Sequence, residues 1–158
     1  MNTEQMYILE EDRQAALGRI EQLEREIQDL GPEFYDVFNQ SSETWHDNAP
    51  FDALRDRQSV LFAELQGLKL IIRNAALTLP SRDEDVVGIG CYVTLRRNDG
   101  VKTTFFVAGD WTYRTGEKLK GALIVSAKAP IVLAMIGRPL GDKVRFRGDF
   151  EIVRIEYN

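Results

Sequence analysis

Ala16, Ile20, Leu23, Ile27, Leu30, Phe34 and Val37 follow one another at spacings of 4, 3, 4, 3, 4 and 3. Such a seam, averaging about 3.5 residues per repeat, is the pattern of a helix packed lengthwise on another helix. Met6 and Leu9 extend it backwards. After a polar interval the spacing returns in Phe51, Leu54, Gln58, Leu61, Leu65, Leu68, Ile72 and Ala75, with Gln58 as the one polar member. Two seams joined by a short polar segment predict an antiparallel two-helix coiled-coil hairpin over residues 1–79, with its tip at about 41–50. Gly31-Pro32 falls inside the first helix, where proline removes one backbone hydrogen bond; the seam continues in phase beyond it, so a bend is expected and not a boundary.

From Pro80 the period changes. Asp99-Gly100 stands between two strand-like runs, Cys91 to Arg96 and Lys102 to Ala108, a strong local signal for a β-hairpin. Gly121 to Ser126 and Lys143 to Arg147 are further short strands, and Phe150 to Tyr157 alternates at period two. Between them Pro130 to Gly137 has helix-forming content, a proline suited to the first turn and a glycine suited to the C-terminal cap. The predicted fold class is therefore α+β: a helical hairpin, then a second domain over 80–158 with a small, mostly antiparallel sheet and one short helix.

Charge sharpens that division. Residues 1–78 hold seven Lys and Arg against fifteen Asp and Glu, a balance of −8, whereas residues 79–158 hold thirteen against ten, a balance of +3. An acidic rod does not wrap nucleic acid, and +3 is too weak for a dedicated DNA-binding face. One cysteine, Cys91, and one histidine, His46, exclude an internal disulfide and a His/Cys zinc cluster. The acidic N-terminus and the lack of a long apolar run give no export signal and no membrane span, so a cytoplasmic protein is expected. A monomer is the expected state.

The predicted tip concentrates the chemistry. Ser41, Ser42, Thr44, Asp47 and Asn48 can all form turns or cap a helix, and Pro50 suits the first turn of the second helix. A helix of about 30 residues is about 45 Å long, which sets this turn far from any core. Trp45 is suited either to stacking or to packing against Phe51. His46 is a poor magnesium ligand, since that ion prefers oxygen.

These residues carry a family resemblance. Val125 to Val144, VSAKAPIVLAMIGRPLGDKV, resembles the signature of the Gre transcript-cleavage factors: Ser126, Pro130, Ala134, Gly137, Gly141 and Asp142 match, with Ala129 in place of Ser and Arg138 in place of Lys. Asp47 to Gln58 is similar to the family's run after the tip. The resemblance implies an FKBP-like C-terminal domain that docks on bacterial RNA polymerase and a hairpin that enters the secondary channel. It also implies that Ser126, Lys128 and Pro130 lie in the docking loop, where the family has an acid at the position of Lys128.

The tip's acids, Asp47 and Glu43, are by the same resemblance the catalytic, metal-directed groups. They act in trans on magnesium held by the polymerase, Asp47 as its shared ligand, with no cofactor of the protein's own and only indirect contact with the RNA 3′ end. Thr44, Trp45, His46 and Asn48 are the implied tip contacts. The family's tip is Asp-x-x-Glu; here Asp47 takes the Glu position but Thr44 takes the Asp position. Stimulated cleavage of backtracked RNA is thus the first expectation. The runner-up is a channel binder that regulates or inhibits the polymerase without cleavage, followed by a coiled-coil adaptor. Prolyl isomerase activity would need a pocket walled by Trp111, Tyr113, Phe105 and Phe106.

Overall fold

The computed structural model describes residues 5–40, 49–76, 78–79 and 82–158. The chain runs through β1 (Met6–Tyr7), α1 (Glu10–Gln40), α2 (Ala49–Asn74), β2 (Ala75–Ala76), β3 (Cys91–Arg97), β4 (Lys102–Val107), β5 (Lys118–Leu119), β6 (Ala122–Val125), α3 (Pro130–Met135), β7 (Lys143–Arg145) and β8 (Asp149–Tyr157). It divides into two compact units, Gln14–Arg73 and the remainder.

The helical unit is the predicted hairpin. Leu23, Leu30, Leu61 and Leu65 form its buried strip, flanked by Ile20, Ile27, Phe34, Leu54 and Leu68. Gln58 is half-buried at its place in the seam. The cross-helix ion pairs run antiparallel: Arg19 meets Glu64 through two hydrogen bonds of 2.8 and 2.9 Å, and Glu33 faces Arg57 at 3.9 Å. The rings of Phe34 and Phe51 meet edge to face at 5.5 Å. Pro32 lies within α1, which continues through it to Gln40, so the seam's unbroken phase is the better guide there than the proline. Acids at Glu10, Glu11 and Asp12 suit the positive end of the helix dipole.

In the second unit the strand order is β5-β6-β4-β3-β8-β7, antiparallel throughout except for β4 with β6. Asp99 and Gly100 turn β3 into β4 as expected, with Gly100 at φ 88°. A bulge between Thr94 and Leu95 shifts the β3–β8 register, which adds local twist. Alternation gives the sheet two apolar faces. Val93, Leu95, Phe105, Val107 and Ile152 pack under Val132 and Met135 of α3, while Phe106, Ala108, Ala122 and Ile124 form a cluster on the other face.

Residues 5–13 depart from the hairpin expected over 1–79. Met6 sits in β1, paired in parallel with Ala75 of β2, and Leu9 packs against the Phe106 cluster. Ile8 is buried, and the chain passes so close to Gly109 that a Cβ there would meet Tyr7 O at 2.5 Å and Ile8 Cα at 2.6 Å. The helical spacing of Met6 and Leu9 is fortuitous; burial on the sheet outweighs one more helical turn. For the same reason α2 ends at Asn74, and Ala75 leaves the seam for β2.

Candidate functional site

The loop from Ser126 to Pro130 connects β6 to α3, and four hydrogen bonds fix it. Ser126 Oγ donates to the carbonyl of Asp110 at 3.0 Å and accepts from the Lys128 N–H at 3.0 Å, while the Ala129 N–H donates to Ser126 O at 3.0 Å. Ala127 is buried and donates its N–H to Gly109 O at 2.9 Å. Pro130 takes the first turn of α3, where the lack of an N–H costs nothing, and is exposed. The loop is thus a pinned turn that presents Lys128 and Pro130 outward. Ser126, Lys128 and Pro130, the residues expected to act together, are brought together.

Asp110, which sequence reasoning missed, is the hub beneath this loop. Its side chain is 9% exposed; Oδ2 accepts the Tyr7 N–H at 2.8 Å and Oδ1 lies 3.9 Å from Lys128 Nζ. Its own N–H donates to Tyr7 O at 2.7 Å. Lys128, standing where the family has an acid, therefore has a local counter-charge. The only sequence hint was a Gly109-Asp110 turn after a strand; the partner Tyr7 is 103 residues away.

A second cluster also escaped prediction. Asp12 is fully buried, and its Oδ1 accepts from Thr112 Oγ1 at 2.9 Å and from the Tyr113 N–H at 3.4 Å, with Arg114 Nε at 3.7 Å. Burial pushes the Asp12 carboxyl above its ordinary range, against the pull of Thr112, Tyr113 and Arg114. Asp12 Oδ2 and Arg114 Nε are buried without a hydrogen-bond partner.

Gly141-Asp142 is structural. Gly141, at φ 91°, donates to Ile152 O at 2.8 Å, and the Ile152 N–H returns a bond to Asp142 O at 2.9 Å. The aromatics considered for an isomerase pocket do not share a wall, because Phe105 faces α3 and Phe106 the opposite side of the sheet. Glu43, Thr44, Trp45, His46, Asp47 and Asn48 lie outside the described residues. Among the described residues no cluster of His, Cys, Asp and Glu could hold a metal, and no helix is long and apolar enough to cross a membrane.

The chain is similar to known proteins. The family model described as transcription elongation factor, GreA/GreB, C-terminal, matches residues 82–157. The transcription elongation factor GreA of Staphylococcus carnosus is 30% identical over 132 residues, covering 79% of this chain and 79% of the relative. That of Chlamydia trachomatis is 30% identical over 95 residues, 60% of this chain but only 12% of the much longer relative. Among solved structures, GreA factor homolog 1 of Thermus thermophilus aligns over 97% of this chain and 99% of its own, at 18% identity and a TM-score of 0.45.

Proposed function

This chain belongs to the GreA/GreB family of transcription elongation factors, and from that premise we propose that it docks on RNA polymerase through Ser126, Lys128 and Pro130 and extends its hairpin into the secondary channel. The observation that carries the docking half is the pinned β6–α3 loop. A recognition loop held by Ser126 Oγ and Asp110 loses little conformational freedom on binding, so more of its contact energy appears as affinity. Its charge pattern is inverted relative to the family, with Lys128 set over the buried Asp110. The complementary patch on the polymerase is then acidic or neutral at this point.

The tip completes the reading. Asp47 is the carboxylate directed at polymerase-held magnesium, with Glu43 in support, and the factor stimulates cleavage of backtracked RNA without a cofactor of its own. Carboxylate oxygens suit that ion. It acts as a cytoplasmic monomer, an accessory to the polymerase's chemistry. Thr44 at the family's Asp position favours a second reading, in which the same docking regulates or inhibits the polymerase without cleavage.

Co-purification with core polymerase tests the docking. Pro130→Arg, at an exposed position, should abolish binding while the melting temperature stays within a degree or two of the parent. Binding unchanged by Pro130→Arg removes the loop from the account.

A further inference from the structure

The sheet face turned away from α3 carries two adjoining cavities of about 330 and 390 Å³, which share Tyr92, Lys120 and Asn158. Neither is lined by Ser126, Lys128 or Pro130. The smaller adds Thr94, Thr104 and Arg154; the larger adds Arg82 and Arg114 with an apolar wall that includes Leu9 and Phe106. Each is at the size of a small-molecule site.

Lys120 stands at the junction of the two cavities, in the turn between β5 and β6. Leu119 pairs with Ala122, so Lys120-Gly121 is a two-residue hairpin turn, and both residues are left-handed, at φ 50° and 81°. Such a turn favours Asn, Asp or Gly at its first position. A side chain longer than theirs, kept in the left-handed region, is the kind of strain that accumulates where a ligand is held. Among the described residues Lys120 makes no ion pair, whereas Arg82 is engaged by Glu84 at 2.7 Å and Arg154 by Glu156 at 2.5 Å. A free cation thus sits between two anchored ones.

The walls beside it are flat and polar in turn. Tyr92 leans on Phe106, ring centroids 4.9 Å apart, and faces both cavities. Thr94 Oγ1 and Thr104 Oγ1 are hydrogen-bonded at 2.9 Å, which leaves one hydroxyl proton and several lone pairs for another partner. An aromatic wall, paired hydroxyls and convergent cations suit a planar base, a sugar and a phosphate. We infer that the paired cavity binds a nucleoside phosphate, with its base on Tyr92 and its phosphates at Lys120, between Arg154 and Arg82. A nucleic-acid strand fits less well. It needs a continuous basic groove, and here Glu11 and Glu156 interrupt the basic lining.

Titration calorimetry of the full chain with ADP, adenosine and pyrophosphate tests this. ADP should bind saturably, and adenosine and pyrophosphate each at least about tenfold more weakly, since each keeps half of the contacts. Lys120→Gly relaxes the turn while deleting the cation; it should melt no lower than the parent and bind ADP at least about tenfold more weakly. Tyr92→Leu should weaken ADP and adenosine but not pyrophosphate. Lys118→Ala, outside both cavities, should leave ADP binding unchanged. No saturable binding of ADP, pyrophosphate binding as well as ADP, or Lys120→Gly binding ADP like the parent overturns the proposal.

Discussion

The two units of this protein hold themselves together by different means. The hairpin buries one strip, Leu23, Leu30, Leu61 and Leu65, and lines it with exposed ion pairs such as Arg19–Glu64 and Glu24–Lys69. The sheet unit buries both faces of a six-stranded sheet, and its loops are tied by side chains, Ser126 and Asp110 among them. A strip loses little when a surface residue changes, and exposed ion pairs add little; a layered core is intolerant of any cavity. A single strip that tolerates surface change and a layered core that does not tolerate cavities are thus separate properties of one chain.

Core truncation should expose the contrast most strongly. Leu95→Ala, at a fully buried position in the α3-facing cluster, should cost about 4 kcal/mol and unfold the sheet unit at moderate denaturant. Leu23→Ala, equally buried but in a strip whose neighbours are half-exposed and free to close in, should cost nearer 2 kcal/mol, with helical signal lost before sheet signal. Equal costs would mean that the hairpin core is as rigid as the sheet's. Chemical denaturation followed by far-UV circular dichroism reads both.

Asp12 sharpens the comparison through pH. Its pKa in the folded protein is raised above the unfolded value, so the native state binds the proton more readily. Burial therefore penalises the ionised form as pH rises through the folded value, and the penalty vanishes below the unfolded value, about 4. Asp12→Asn should lie within about 1 kcal/mol of the parent at neutral pH, and the parent should gain on the variant as pH falls toward about 4. A parent that loses on acidification would show Arg114 attraction outweighing desolvation. The smallest effect belongs to the rod's surface: Arg57→Ala, breaking an exposed pair of 3.9 Å with Glu33, should change stability by less than about 0.5 kcal/mol.

Local periodicity made most of the architecture legible. Seven seam positions in phase and the Asp99-Gly100 turn foretell α1, β3 and β4 because a helix face and a hairpin are defined by neighbours in sequence. The failures have two causes. β1, β2 and β5 have two residues each, too few to show any period, so Met6 and Leu9 read as helix. Asp12 and Asp110 gain their meaning from partners 100 and 103 residues away, and nothing beside them in the chain announces it. The resemblance singled out the residues of the β6–α3 loop proposed for docking, but not the Asp110 contact that pins it.

On the proposed reading, the pinned loop brings this chain to the polymerase so that an acidic tip can act there. RNA length in a stalled, backtracked elongation complex at limiting magnesium tests it directly. The parent should shorten the RNA, and Asp47→Asn should abolish shortening while still co-purifying with the polymerase, since Asn keeps the size of the side chain but not the charge that a magnesium ion needs. RNA shortened equally by the parent and by Asp47→Asn, or left intact by a bound parent, would contradict it.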